Sequence, residues 1–424
     1  MIVPRGFSGT DQPKASIYDA CIRCGLCLPS CPTYLETMTE TSGPRGRISL
    51  IKSVAQGQLD LLSAGFVHQM HECLDCRACE AVCPSGVAYG QLLETARAQI
   101  LRAQVPAESS RARSAQRLMR ALFGRPDLMH AAARVLRFAQ QARVLWIARL
   151  VGLGGAAKLA PPISASFFPV AGQRVDASHP QGVAMLHAGC IMPIAFASVH
   201  EATLRMLSRG GLSVTVPAEQ GCCGAIAVHA GDRDFARELA KRNIAAFEKS
   251  GADVYVVNAA GCGSALREYG ELFAGDPEWS ERAERFSARV RDVTEVLDAL
   301  DLGSPSRGVD AIATYQQPCH LVHAQRVARA PRRLLSRIPA LRLVEMDESE
   351  LCCGSAGIYN LTQPEMASRL QQRKVRAIER TGATIVVTAN PGCAIQVAAG
   401  LRDAGYRASV KHVVELLDEA FNEV

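Results

Sequence analysis

The chain has 424 residues, 48% of them hydrophobic, and a formal net charge of +6. That length supports two or three domains with a sizeable core. An aromatic share of 5% argues against a base-stacking surface for single-stranded nucleic acid, and the modest charge permits an anionic partner or membrane surface without demanding one. Sixteen cysteines in a chain this long do not read as a small disulfide scaffold. The opening stretch MIVPRGFSGTDQPKAS has no apolar signal core, so reduced thiols in a cytoplasmic setting are expected, with metal binding or redox work as their use. No uninterrupted apolar run of about 18 residues stands in the sequence, and no spanning helix is expected.

The first predicted element is CIRCGLCLPSCP, with Cys21, Cys24, Cys27 and Cys31 before Pro32. The second is CLDCRACEAVCP, with Cys73, Cys76, Cys79 and Cys83 before Pro84. Both read C-x2-C-x2-C-x3-C-P, the bacterial ferredoxin pattern for 4Fe–4S clusters. Three cysteines at intervals of three wrap one cluster, while the fourth points away to the other. Cys21, Cys24, Cys27 and Cys83 are therefore expected to hold one cluster, and Cys73, Cys76, Cys79 and Cys31 the other. Zinc sites instead pair two C-x2-C knuckles across a long spacer. Residues 46–56, after Pro44, read as a helix between the motifs, giving an α-helical two-cluster domain over 1–105.

A basic helical linker is expected over 106–180. Its segment 111–155 is rich in arginine and apolar residues, and reads either as an amphipathic surface for anionic lipid or a partner, or as helices packed on the core. The glycine-rich run VGLGGAAKLA, 151–160, lacks a strand–turn–helix setting and reads as a loop rather than a phosphate site.

The remaining eight cysteines repeat. Cys190, Cys222–Cys223 and Cys262 recur as Cys319, Cys352–Cys353 and Cys393, 129 to 131 positions later. The flanks recur too: runs 183–188, 212–217 and 253–258 match 310–315, 341–346 and 384–388 as strands. Long amphipathic helices are expected at 232–250 and 364–382, and trailing helices at 289–300 and 409–420. Alternating strand and helix predicts parallel βαβ units in two modules, 181–305 and 306–424. The cysteines then gather at the carboxyl rim of each sheet, with Gly224 and Gly354 turning the chain sharply beside each cysteine pair. The fold class expected is α+β multidomain: a helical two-cluster ferredoxin-type domain followed by a duplicated, pseudo-twofold α/β module with small parallel sheets. These eight cysteines are further candidate metal ligands. His187 and His320 stand close to them, positioned either to hydrogen-bond to sulfur or as ordinary structural histidines; His68 and His71 carry no clear signal.

Two ferredoxin motifs followed by two Cys-Cys-Gly modules resemble the iron–sulfur subunits of membrane-associated oxidoreductases, a family that includes glycolate oxidase, lactate-oxidation, anaerobic glycerol-3-phosphate dehydrogenase and heterodisulfide reductase subunits. SGPRGRISLIK, HAGC, QGCCG, QQPCHL and ANPGC look most like the glycolate oxidase iron–sulfur subunits. The resemblance implies two 4Fe–4S clusters, with one or two more in the modules left open, and no flavin on this chain. It implies flavin-binding partner subunits that oxidise glycolate to glyoxylate, a quinone-type acceptor, peripheral contact with the inner face of the membrane, no nucleic-acid partner and no catalytic residue here. The heterodisulfide reductase modules end in CxxC, whereas these read Ala259-Ala260-Gly261-Cys262 and Asn390-Pro391-Gly392-Cys393, so each lacks a fifth cysteine. That departure weighs against a thiol–disulfide reductase, the alternative reading beside lactate or glycerol 3-phosphate oxidation.

Overall fold

The computed structural model describes residues 5–104, 110–144, 146–147, 154–170 and 172–421. Residues 106–109 of the expected linker, 145 and 148–150 of its basic segment and 151–153 of the glycine-rich run lie outside them. The chain forms two compact units, one of Met1–Met119 with Gly224–Ala236 and Leu351–Leu370, the other of Arg120–Cys223, Arg237–Glu350 and Gln371–Val424.

The first unit is built on helices α1 (Pro44–Ala55), α2 (Ala64–Glu72) and α3 (Tyr89–Gln104). Helix α1 starts at Pro44 itself, where the fixed φ of proline suits the first helical position. Ile48, Ile51 and Val54 recur at helical spacing and pack with Phe66, Met70, Leu92, Leu93, Ala96 and Ile100. The segments that follow each cysteine pair join this unit by buried polar contacts. Arg97 donates to the His229 carbonyl at 3.1 Å, Arg233 pairs with Asp11 at 2.9 Å, and the Tyr359 hydroxyl donates to the Glu72 carbonyl at 2.7 Å.

The basic segment forms two helices, α4 (Ser110–Gly124) and α5 (Pro126–Gln141). Within the glycine-rich run, Gly154–Lys158 is a short helix rather than loop. The other principal helices are α6 (Ala197–Arg209), α7 (Arg233–Ser250), α8 (Ala260–Arg267), α9 (Val293–Ala299), α10 (Pro364–Thr381), α11 (Pro391–Asp403) and α12 (Val413–Phe421).

The second unit carries two sheets. The first has β1 (Gln173–Val175), β2 (Gly182–Leu186), β3 (Leu212–Val216), β4 (Val254–Val257) and β5 (Val290–Asp292), in the order β1-β3-β2-β4-β5. The second has β6 (Ala311–Tyr315), β7 (Leu341–Leu343), β8 (Ile385–Thr388) and β9 (Ser409–His412), in the order β7-β6-β8-β9. Every pairing is parallel except the antiparallel edge strand β1. Without β1, the two sheets have the same order, as a duplication requires. Their central strands are near-continuous Val/Ile runs buried on both faces, the pattern of a covered parallel sheet.

The trailing segments 289–300 and 409–420 are not helical throughout. Each begins as a strand and turns directly into helix, α9 or α12. At the first turn, Asp292 accepts from the Thr294 N–H at 2.8 Å and Glu295 accepts from the Asp292 N–H at 2.9 Å. The second copy repeats the device, with His412 Nδ1 accepting from Val414 N–H and Glu415 from His412 N–H. The two modules share one core, in which Leu186, Val214 and Val256 pack in a single cluster with Val387, Leu416 and Leu417.

Gly224 and Gly354 adopt φ of +83° and +88° immediately after each cysteine pair. A Cβ on Gly354 would lie 2.7 Å from the Ala367 carbonyl oxygen, and one on Gly224 3.3 Å from the Ala236 Cα. Gly354→Ala is expected to destabilise the chain by about 1–3 kcal/mol, and Gly224→Ala by less, because only the first forces a backbone carbonyl to move. Chemical denaturation of both variants beside the parent chain checks the order.

Candidate metal centres

The two ferredoxin-type motifs take up the same loop. In the first, Arg23 and Gly25 have φ of +59° and +85°; in the second, Asp75 and Arg77 at the matching places have +54° and +62°. Left-handed residues between successive cysteines turn consecutive sulfurs inward. Glycine adopts that conformation freely, whereas a side chain there is strained. Arg77 is held in place by ion pairs to Asp75 at 3.0 Å, Glu94 at 2.7 Å and Glu80 at 3.2 Å.

One cavity of the first unit is lined by Cys21, Cys24, Cys27 and Cys83, and by Cys79 as well. A second is lined by Cys31, Cys73, Cys76 and Cys79. Pro44, Cys79 and Tyr89 line both, so the two are neighbours. All sixteen cysteines are free of disulfides. Burial pushes the Cys79 thiol well up, and Cys76, Cys73 and Cys31 beside it add to the effect. Cys73 is raised by burial as well, and burial takes Cys27 to about 11. As thiolates, these sulfurs are tolerable together only around positive charge. Backbone N–H groups already point at two of them, Asp75 at Cys73 Sγ (3.4 Å) and Val87 at Cys83 Sγ (3.5 Å). A donor set of sulfur alone, gathered in two adjoining cavities, fits two 4Fe–4S clusters.

Three residues that sequence reasoning passed over line these cavities or bond to a cysteine of their walls. Arg47, fully buried, donates to the Gln69 carbonyl (2.8 Å) and Thr33 Oγ1 (3.1 Å), pairs with Glu72 at 2.9 Å, and lines the second cavity. Arg97, also buried, donates to the carbonyls of Met70 and Cys73. The Tyr89 hydroxyl donates to Cys73 Sγ at 3.7 Å. The signal for Arg47 was present: it stands next to Ile48 on the apolar stripe of α1. His68 and His71, silent in the sequence, line a cavity of about 670 Å³ together with Cys73, Arg97, His229 and Tyr359. Burial lowers His71 to about 4, so the ring is neutral near pH 7.

In the first cysteine-rich module the structure brings the cysteines to the carboxyl rim of the sheet. Cys190 follows β2 and the Cys222–Cys223 pair follows β3. Cys262 lies in the first turn of α8, rather than closing β4. Asn243 fixes the doubled cysteine, accepting from the Gly221 N–H and donating to the Cys222 carbonyl, both at 3.0 Å, while the Tyr269 hydroxyl donates to the Cys223 carbonyl at 2.9 Å. Held so, Cys223 Sγ, Cys262 Sγ and a nitrogen of His187 lie within 4.8 Å of one another. The Cys223 thiol, bonded to it, and His187 hold Cys262 down to about 6 against the effect of burial. Cys190 is driven up by its contact with Cys222, then by burial. In the second module, Cys319 and Cys393 belong to the second unit, where Asn390 Nδ2 donates to Cys393 Sγ at 3.3 Å. Cys352 and Cys353, both buried, belong to the first. His320 begins a short π-helical turn, His320–Ala324.

A paired-cluster helical domain joined to two small parallel α/β modules defines an iron–sulfur electron carrier, and known proteins agree. Residues 17–87 match the 4Fe-4S dicluster domain family, and residues 184–267 and 313–398 each match the cysteine-rich domain family. The chain is 37% identical to the "Probable glycolate oxidase iron-sulfur subunit" of Bacillus subtilis, over 94% of this chain and 93% of that protein. It is 34% identical to the "Glycolate oxidase iron-sulfur subunit" of Escherichia coli, over 96% and 95%. "Lactate utilization protein A" of Exiguobacterium is 30% identical over 56% of this chain and 98% of its own length. The chain belongs to the glycolate oxidase iron–sulfur subunit family; it is an iron–sulfur component of an oxidoreductase complex.

A hydrogen bond to a ligating sulfur favours the reduced, more negative state of the centre. Tyr89→Phe, which removes the bond to Cys73 Sγ, is expected to lower the midpoint potential of one centre without loss of iron. A redox titration followed by paramagnetic resonance, with iron counted on the same sample, checks it.

Proposed function

We propose that this chain is the electron-relaying subunit of an assembly in which flavin-binding subunits oxidise glycolate to glyoxylate. That oxidation releases two electrons and two protons, which a flavin on a partner subunit takes up together. Iron–sulfur clusters, when bound, supply one-electron carriage. The observation that carries the reading is the pair of adjoining sulfur-lined cavities with a common wall at Cys79 and Tyr89, an arrangement suited to passing single electrons over a short distance. Cys21, Cys24, Cys27 and Cys83 would hold one cluster, and Cys31, Cys73, Cys76 and Cys79 the other. Cys190, Cys222, Cys223, Cys262, Cys319, Cys352, Cys353 and Cys393 are proposed as further metal donors. The expected domain boundaries, 1–105, 106–180, 181–305 and 306–424, stand as a proposal for the evolutionary parts of the chain.

Glycolate is preferred to lactate because the relatives named for glycolate match along almost the whole chain, whereas the lactate relative matches 56% of it. A quinone is the proposed acceptor. The cavity beside Cys73 has apolar walls from Leu62, Val67, Leu74 and Ile358 and polar groups from His68, His71 and His229, the mixture that a quinone head and its apolar tail require. Reducing a quinone to quinol consumes two electrons and two protons, closing the balance with glycolate. Peripheral contact with a membrane on its cytoplasmic face is proposed through the basic segment. Val135 and Phe138, three apart on α5, are 71% and 70% exposed, and Trp146 and Ile147 are exposed beyond it among arginines. Among the described residues, no helix is long and apolar enough to cross a membrane.

Purified alone and anaerobically, the chain is expected to show broad iron–sulfur absorbance and no glycolate turnover. Combined with its flavoprotein partners it should restore glycolate-dependent quinone reduction. Cys27→Ser and Cys76→Ser should each abolish that relay while removing a different paramagnetic signal. Glycolate oxidation by the isolated chain, or a colourless polypeptide, would overturn the reading.

A further inference from the structure

We propose that the loop over the first cluster cavity is a docking face, and that its occupant is the flavin-binding protein from which electrons enter the chain. The face is formed by Ile22, Arg23, Cys24, Leu26 and Val82. The inference rests on reading the chain as an electron relay, and it assigns the entrance of that relay.

Exposure separates the two centres. Among the described residues, Cys24 is the one exposed cysteine. It lines the first cavity together with Ile22 and Arg23, both exposed, so the outer wall of that cavity is molecular surface. Ile22 and Leu26 are 68% and 58% exposed. Val82 is exposed as well, beside Cys83 of the same cavity. Single apolar side chains on a surface are ordinary, whereas several gathered at one site mark a place where a partner sits.

The second motif supplies an internal control. Leu74 stands where the first motif has Ile22, Asp75 where it has Arg23, and Ala78 where it has Leu26. The loop has the same left-handed turns, yet Leu74 and Ala78 are 2% and 5% exposed and Asp75 is buried with them. Cys31, Cys73, Cys76 and Cys79 are buried too. A ferredoxin-type loop therefore does not itself require exposed apolar tips; one copy is enclosed and the other displayed. Electron transfer weakens steeply with distance, so a partner as large as a protein is served by the displayed centre. The enclosed one has its own cavity, of about 670 Å³ beside Cys73, for a small acceptor.

The displayed loop is also held still. Arg45 donates to the Arg23 carbonyl at 3.1 Å and is clamped by Glu40 at 2.5 and 3.0 Å. Gly25, at φ +85°, lies so close to that guanidinium that a Cβ would fall 2.8 Å from Arg45 Nη1. A surface fixed in advance loses little freedom on binding. Arg23 carries the only charge in CIRCGLCLPSC and, among the described residues, has no ion-pair partner. The complementary surface is an apolar patch with a carboxylate at its rim. Each passage across it moves one electron and no atom. Two passages oxidise a two-electron-reduced flavin, whose protons leave on the partner's side, and both electrons continue to the two-electron acceptor.

The test uses the full chain with its clusters and the flavin-binding subunits that purify with it. Ile22→Glu and Leu26→Glu, made singly, should each raise the flavoprotein concentration needed for half-maximal glycolate-dependent quinone reduction by roughly tenfold. Arg23→Glu should do so at low salt, and added salt should narrow its gap from the parent chain. Leu361→Glu, at an exposed leucine outside the face, should match the parent chain in half-saturation. Iron content, paramagnetic signals and reduction by dithionite should be unchanged, which separates docking from damage to the centre. Arg23→Glu alters no apolar residue and carries the test if either of the other two loses iron. Unchanged half-saturation in the iron-replete face variants overturns the proposal. So does loss of self-association, or of binding to phosphatidylglycerol–phosphatidylcholine vesicles, while the flavoprotein binds as before. A parent chain that neither binds the flavoprotein nor accepts electrons from it overturns the relay reading itself, and this inference with it.

Discussion

Sulfur anions cannot be crowded into a protein interior unless positive charge meets them, and most of the first unit follows from that requirement. Cys31, Cys73, Cys76 and Cys79 are all buried. Burial first, and the neighbouring sulfurs after it, push the Cys73 and Cys79 thiols up, because desolvation and like charge both oppose ionisation. Iron, when bound, would supply most of the compensation, and the protein supplies the rest. Arg47 and Arg97 are as deeply buried as the sulfurs, and each is saturated by carbonyls or a carboxylate that hold it in place. A buried arginine so anchored is a fixed charge rather than a mobile counterion. It need not reorganise when an electron comes or goes, the property an electron carrier needs from its surroundings.

The same requirement explains why the fourth cysteine of each motif crosses to the other cavity. Cys31 is brought to Cys73, Cys76 and Cys79, and Cys83 to Cys21, Cys24 and Cys27, across some fifty intervening residues. Clusters held by these cysteines would each close a long loop, and each motif would depend on both. Metal binding of this kind contributes directly to folding. The crossing would make two such clusters cooperative and sets their cavities next to each other, so one arrangement would provide both cohesion and a short electron path.

The motifs were legible because their chemistry is local: the spacing of cysteines within twelve residues dictates the loop. The central strands were legible because Val254–Val257 and Ile385–Thr388 are short runs dominated by valine and isoleucine and bounded by breaks. The edges were not. The strand Gln173–Val175 is polar and partly exposed, with no alternation to mark it. Val290–Asp292 and Ser409–His412 run without a break into helix, so their hydrophobic pattern merges with the helical one. The packing of Gly224–Ala236 and Leu351–Leu370 with the N-terminal residues was not legible either. It rests on contacts such as Tyr359 with Glu72, 287 positions apart, which no spacing announces. Arg47 and Glu72 pose the same difficulty on a smaller scale, since an arginine on an apolar stripe has meaning only once its partner is known.

Duplication sharpens the distinction between scaffold and site. The two modules keep the same strand order, the same left-handed glycine after the cysteine pair and the same reciprocal bonding at the strand-to-helix turn. These features set where backbone goes, and a change in either copy would cost the shared core in which both take part. The side chains at the rim are under no such constraint. There the copies have diverged, with histidine and tyrosine in one and glutamine and valine in the other. Glutamine at position 316 satisfies itself within its own strand ends, whereas histidine at 187 leaves a nitrogen facing sulfur. A repeated fold thus holds eight cysteines in two equivalent frames while allowing the chemistry at each rim to be set separately, and sequence symmetry in such a protein is evidence about its architecture rather than about what each copy binds.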